Sequence, residues 1–241
     1  MIGNEILSGK VVDTNSPFLA GELRELGVDL ERILTIPDEI DLIAREVRAM
    51  SEAYDYVFTS GGIGPTHDDL TMDAVAKAFD RTLELNVSMM ERMERHQGEP
   101  PNESQRKMAM IPSGAQVIDA GDLWFPVVIV ENVHVFPGIP KLLQKKFHSI
   151  KDRFRAVPFQ LSRIYVTQRE SDIADHLNDL LSEFPDLMLG SYPKIEEREY
   201  RVLLTLESRD GDYLLRAQES LVARLSDDAI FKIEAHSEKA G

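Results

Sequence analysis

Cysteine is absent from the 241 residues. Its absence excludes disulfides, thiolate-bound zinc and a thiol nucleophile, and is compatible with a cytoplasmic location. Long apolar runs are missing too. The longest candidate, Phe125 to Val130, is strand-sized and falls well short of a membrane span. The N-terminus lacks the basic-then-apolar pattern of a secretory leader. Basic residues are scarce: 27 Lys and Arg against 42 Asp and Glu leave a formal net charge of −15. That field repels nucleic-acid backbones and anionic lipid, so neither is expected as a partner. A phosphorylated small molecule would then need a local positive element or a metal. Tryptophan occurs once, as Trp124, where packing is the simpler role.

What remains is an ordinary globular composition, 43% hydrophobic and 29% charged, in a chain long enough for one large domain or two moderate ones. The stretch that organises it is Tyr56 to Asp69. An apolar, β-rich run leads into Gly61, Gly62 and Gly64, then Pro65, Thr66, His67 and the adjacent acids Asp68 and Asp69. A helical pattern with Met72, Val75, Ala76 and Phe79 on one face follows from Thr71. Glycines let backbone N–H groups approach phosphate oxygens, and a helix start adds positive dipole. Two carboxylates beside such a turn suit a hard cation that bridges them to phosphate. The simpler alternative is a tight turn with both acids capping the helix.

Taken in order, Met1 to Asn15 reads as a loop rich in turn formers and acids, and Ser16-Pro17 opens a helix stopped by Gly27. Val28 to Ile36 is a predicted strand, and Asp38 can cap a helix carrying Ile40, Ile43, Ala44, Val47 and Met50. Alternating helices and strands up to the glycine loop argue an α/β layer with a parallel sheet, where ligands sit beyond the carboxyl ends of strands. Glu84 to Gln97 is predicted helical with Val87, Met90 and Met93 as its stripe, and Ser104 to Met110 as a short helix. Val127 to Glu131 and Val133 to Phe136 form a hairpin turned at Asn132, followed by the tight Pro137-Gly138-Ile139-Pro140 loop and another helix. The pattern shifts at Arg155 to Pro158. Beyond it the order is β-α-β-β-α-β, a split βαβ arrangement without a catalytic constellation, suited to packing, dimerisation or substrate capping. His236 to Gly241 reads as a frayed tail.

The motifs Gly3-Asn4-Glu5-Ile6-Leu7-Ser8-Gly9, Asp13-Thr14-Asn15, Thr59 to Thr71 and Pro137 to Pro140 occur in the order of the MoaB/MogA-like molybdopterin-binding domain. The chain resembles the branch at the N-terminus of CinA and of eukaryotic-type FAD synthases. Leu189-Gly190-Ser191-Tyr192-Pro193 also looks like the small domain that follows in the FAD synthase branch. The resemblance implies a three-layer α/β domain with a mainly parallel sheet over residues 1–154, and a small α+β domain over 159–235. It implies metal-dependent hydrolysis of a dinucleotide pyrophosphate, ADP-ribose or FAD, to AMP and a phosphorylated product. A homo-oligomer, dimer or trimer, is expected.

Carried over by position, Gly61, Gly62, Gly64, Pro65 and Thr66 would cradle phosphates, with His67 in contact. Asp68 and Asp69, joined by Glu5, would hold Mg²⁺, Mn²⁺ or Co²⁺, with K⁺ as a further cation, and the acid pair would act in catalysis. Asp13 and Asn15 would approach the nucleotide, while Pro137 and Gly138 would help close the pocket. Lys10 is expected exposed, and Lys145 and Lys146 need no function. The family's first strand lies upstream of the Gly3–Glu5 loop, so roughly five strand residues are expected before Met1; a start placed downstream or a trimmed chain is the hypothesis. The deamidase and adenylyltransferase activities of the larger relatives are not expected from these residues. Two other readings fit the same loops: adenylyl transfer to molybdopterin, and a non-catalytic nucleotide- or pterin-binding module.

Overall fold

The computed structural model describes residues 1–119, 125–195, 197 and 199–234. The expectations for Trp124 and for the tail from His236 lie outside these residues. The chain divides into two units, Met1–Arg155 and Ala156–Gly241.

The first unit runs α1 (Asn4–Leu7), α2 (Asn15–Glu25), α3 (Ile40–Ala53), β1 (Val57–Ser60), α4 (Thr71–Ala78), β2 (Leu83–Leu85), α5 (Val87–Gln97), α6 (Glu103–Met108), β3 (Met110–Pro112), β4 (Gln116–Ile118), β5 (Val127–Val130), β6 (Val133–Phe136) and α7 (Pro140–Ile150). The central sheet has the order β1-β6-β5-β4. β1 pairs with β6 in parallel, whereas β6–β5 and β5–β4 are antiparallel. Parallel pairing therefore lies on the side that leads to the glycine loop, and the far side is a meander. β2 and β3 form a separate two-stranded ribbon.

Both faces of the sheet are covered, which is why every residue of β5 and β6 is buried and all but His134 are apolar. Val128, Val130, Val133 and Val135 face one cluster with Ile43 and Val47 of α3, Val75 of α4, and Met89 and Met93 of α5. Val127, Ile129 and Phe136 face the other, with Leu19 and Leu23 of α2 and Leu143, Phe147 and Ile150 of α7. Each such aliphatic or aromatic side chain contributes about 1.5–3 kcal/mol on burial. The α5 stripe differs from expectation: Met89 and Met93 are buried while Val87 is exposed, because Val87 begins the helix and precedes its inward turn.

The predicted strand over Val28 to Ile36 is not formed as one. Only Ile36 pairs, in a parallel bridge with Ile2. Ile2 in turn donates to Ser60 O (2.9 Å), so Met1–Gly3 sits between the Ile36 segment and β1. An extended segment becomes a ladder only where a neighbour faces it, and Met1–Gly3 meets only its end. An apolar groove lined by Leu30, Ile33 and Leu34 on one side and Tyr56, Val57 and Phe58 on the other continues from there. Asp38 likewise does not cap α3, whose N-cap is Glu39; its carboxylate accepts the Asn4 amide at 2.8 Å.

The second unit runs β7 (Gln160–Val166), α8 (Glu170–Glu183), β8 (Met188–Pro193), β9 (Val202–Ser208), α9 (Gly211–Arg224) and β10 (Ile230–Glu234). This is the expected β-α-β-β-α-β order, in an antiparallel sheet β10-β7-β9-β8. Alternation explains its single core: Val202, Leu204 and Leu206 pack with Ile173, Leu177 and Leu180 of α8 and Leu214 and Leu221 of α9.

Candidate functional site

Three separated motifs are tied together by one side chain. Asn15, at the start of α2 and 5% exposed, donates through Nδ2 to Ser60 Oγ (3.0 Å) and to Gly138 O (2.8 Å). Ser60 Oγ donates on to Pro137 O at 3.2 Å. The loops after β1 and β6 and the start of α2 are thereby locked at one end of the sheet. Asp13 brackets the helix start, accepting the amides of Asn15 (2.9 Å) and Ser16 (3.0 Å) and the Ser16 hydroxyl. Partial burial opposes its ionisation, but the Ser16 hydroxyl and the two amides outweigh it and hold the carboxyl below the usual carboxylate range.

The glycine loop follows directly. Gly61 has φ +107°, and a Cβ there would lie 2.2 Å from the Ile2 carbonyl oxygen, so both its dihedral and its neighbour require glycine. Its amide continues the sheet to Phe136 O (3.2 Å), and its carbonyl accepts the Thr71 hydroxyl (2.8 Å). The next donors have no such use: among the described residues no acceptor meets the amides of Gly62, Ile63 or Gly64. Successive unpaired N–H groups on a turn with a left-handed residue, here Gly62 at φ +66°, form the concave donor array that suits an anion.

The acid pair does not cap α4. The N-cap is Leu70, with no side-chain cap. Instead both carboxylates turn back on Thr66. Its hydroxyl lies 2.5 Å from Asp68 Oδ1 and 2.5 Å from Asp69 Oδ2, and its amide donates to the same Asp69 oxygen at 2.8 Å. The Thr66 hydroxyl holds the Asp68 carboxyl below its ordinary range, helped by a backbone amide and, more weakly, by His67 and Lys107. One hydroxyl hydrogen serves two carboxylates here, so three oxygens crowd around a single proton. Such a hard, anionic donor set fits Mg²⁺, which commonly takes one or two carboxylates plus substrate phosphates.

Glu5 is not brought into that set. It is exposed, with its carboxylate folded over Gly3. Among the described residues no group of three or more Asp, Glu, His or Cys side chains gathers to hold a metal. The anticipated Glu5–Asp68–Asp69 trio is therefore not assembled; a short helix carries Glu5 away, and Asp68 and Asp69 are left with Thr66. His67 is almost fully exposed, its Nδ1 3.9 Å from Asp68 Oδ1. Pro137 and Gly138 reach the site through carbonyls that Ser60 and Asn15 already use. Lys10 is exposed, as anticipated.

No sequence motif marks Lys107, at the end of α6. Its ammonium donates to Thr66 O (2.6 Å) and Asp69 O (3.1 Å), reaching across 41 and 38 residues of sequence. The only signal for it was the need for a local cation in an acidic chain. Lys146, for which no function is expected from its place on the helix, is 2% exposed and donates to the carbonyls of Phe125 and Pro126. Burial pulls it down to about 7.

The family described as "Probable molybdopterin binding domain" matches residues 1–156, and "FAD synthase, middle domain" matches residues 158–234. A protein of Archaeoglobus fulgidus is 35% identical over 228 residues, covering 94% of this chain and 96% of its own. A "Probable FAD synthase" of Caenorhabditis elegans is 33% identical, over 96% of this chain but 50% of that protein. A "CinA-like protein" of Thermotoga maritima is 34% identical over 75% of this chain and 46% of its own. The chain thus spans about half the length of these last two relatives. The solved structure of the protein CinA from Thermoplasma acidophilum superposes with a TM-score of 0.59 at 28% identity, covering 64% of this chain and 94% of that one. The chain belongs to the molybdopterin-binding domain family, in the form that carries the FAD synthase middle domain behind it.

Proposed function

We propose that the chain is a metal-dependent pyrophosphatase that hydrolyses a dinucleotide pyrophosphate, ADP-ribose or FAD, to AMP and a phosphorylated product. The observation that carries this is the meeting of opposites on one loop: three amides without acceptors at Gly62, Ile63 and Gly64, and two carboxylates on one Thr66 hydroxyl a few residues on. Donors of that kind suit phosphate oxygens, and the acid pair suits the cation that accompanies a pyrophosphate. Thr66, Asp68 and Asp69 would hold the cation, Mg²⁺, Mn²⁺ or Co²⁺. When bound, the cation neutralises charge on the pyrophosphate and polarises it.

The remaining work falls to this chain's groups. The Gly62–Gly64 amides orient the phosphates. A carboxylate of the acid pair takes a proton from the attacking water as the water oxygen bonds to one phosphorus. The bridging P–O bond breaks, and its electrons leave with the second phosphate. Asp13 and Asn15 fix the α2 start against the loop, so their effect on the nucleotide runs through its placement. The test is AMP release from ADP-ribose and from FAD with and without divalent metal. Metal-dependent release is expected, and no release by the folded chain overturns the reading.

A second reading is favoured by the family's own description as a probable molybdopterin-binding domain: the same loops would bind a pterin, and adenylyl transfer to it would be the corresponding chemistry. Binding of a pterin without metal-dependent AMP release would select it.

A further inference from the structure

We infer that Lys107 is the charge-balancing and positioning residue of the glycine–acid loop, holding the acid pair for an anionic diphosphate and against a bare metal ion. The inference rests on the pyrophosphate reading, which it deepens by naming how the site discriminates a metal–diphosphate from free metal. The geometry is specific. Lys107 is half-buried and comes from α6, an element outside the loop it serves. That helix is set by a reciprocal cap in which Asn102 and Gln105 each accept the other's backbone amide, so the lysine is delivered from a fixed base. Its Nζ grips the carbonyls of Thr66, whose hydroxyl meets both acids, and of Asp69, itself one of the pair.

An ammonium has three donors, and two are committed to those carbonyls. Its positive charge nonetheless lies within the loop whose Gly62–Gly64 amides suit an anion and whose carboxylates suit a cation. Coulomb's law gives that charge opposite effects on the two ligands. It repels a divalent ion approaching Asp68 and Asp69 alone, and it attracts the phosphates that would arrive with the ion. In a chain of net charge −15 such a local cation also keeps the site from repelling its own substrate.

The test measures binding to the wild-type chain and to Lys107→Gln, Lys107→Met and Lys107→Arg, with two probes: Mn²⁺ alone, followed by electron paramagnetic resonance, and imidodiphosphate, followed by calorimetry. Gln keeps an N–H for the carbonyls but not the charge, and Arg keeps the charge. Thermal melts establish that each variant is folded. In Gln and Met, Mn²⁺ should bind about threefold to tenfold tighter and imidodiphosphate about threefold to tenfold weaker. Arg should restore both affinities. A merely structural clamp predicts that both ligands weaken in Met and neither changes in Gln, and that pattern overturns the proposal. No change in any variant overturns it as well, as does a wild-type chain that binds neither probe. AMP release by the wild-type chain is scored separately. Absence of turnover with the opposite shifts present would remove the pyrophosphatase reading and leave Lys107 in place.

Discussion

Gly64 lies directly beneath the Asp69 carboxylate: a β-carbon at Gly64 would stand 2.7 Å from Asp69 Oδ2 and 3.1 Å from its Oδ1. The glycine is not in the left-handed region, so alanine meets no backbone strain there. Gly64→Ala should therefore push the Asp69 carboxylate off Thr66 while changing stability by less than about 1 kcal/mol. Metal-dependent AMP release should fall at least about tenfold, the cost of displacing one group by a fraction of an ångström from its working position. Activity assays beside thermal melts check this; full activity would show that Asp69 need not touch Thr66.

Thr66→Val keeps the shape of the side chain and removes the hydroxyl between the two acids. The Asp68 carboxyl, now held down chiefly by that hydroxyl, should titrate closer to the ordinary carboxylate value. Carboxyl carbon chemical shifts followed through an acid titration read this directly. An unchanged Asp68 would mean that neighbouring charges, not Thr66, set its ionisation.

Asn15→Ala removes both donations that join α2 to the loops after β1 and β6. The loss of one buried and one part-buried hydrogen bond should cost about 1–3 kcal/mol in urea unfolding, with the effect concentrated at this end of the sheet. Hydrogen exchange of the Pro137–Ile139 segment should rise with it. A stability equal to wild type would mean the three loops hold together by packing alone.

Lys146 gives the chain a pH signature. Burial lowers its folded value to about 7, against the ordinary 10.5 it regains on unfolding. Between those values the unfolded chain binds more protons than the folded one, so stability rises with pH through that window. Below it both states are charged, and the cost of burying the ammonium, offset by the Phe125 and Pro126 carbonyls and the Phe125 ring, is fully present. Urea unfolding at pH 7 and pH 9 should show a rising stability in the wild type and a flatter profile in Lys146→Met. Parallel profiles would contradict the burial argument.

Where a segment's neighbours are nearby or its pattern is strong, the sequence was readable. The alternation in β9, the hairpin at Asn132, and the glycine turn after β1 all lie where local chemistry decides. The exceptions share a cause, which is dependence on a distant partner. Val28 to Ile36 has strand composition but meets a neighbour only at Ile36. Asp38 precedes a helix as a cap would, yet the Asn4 amide, 34 residues away, takes its carboxylate. The acids after the glycines were legible as a pair; their closure on Thr66 and the arrival of Lys107 were not, because hydrogen bonds to a loop depend on the fold around it. Glu5 shows the converse: a position carried over from a motif that the structure leaves apart from the acid pair.

The most direct measurement is AMP release from ADP-ribose and from FAD by the wild-type chain and by Asp68→Ala, with Mg²⁺, Mn²⁺ or Co²⁺ and with EDTA. The account predicts release that requires metal, disappears in EDTA and is lost in the folded Asp68→Ala chain. Release that persists in EDTA or survives the substitution would contradict the role given to the acid pair. A folded wild-type chain that releases no AMP from either substrate would contradict the pyrophosphatase itself.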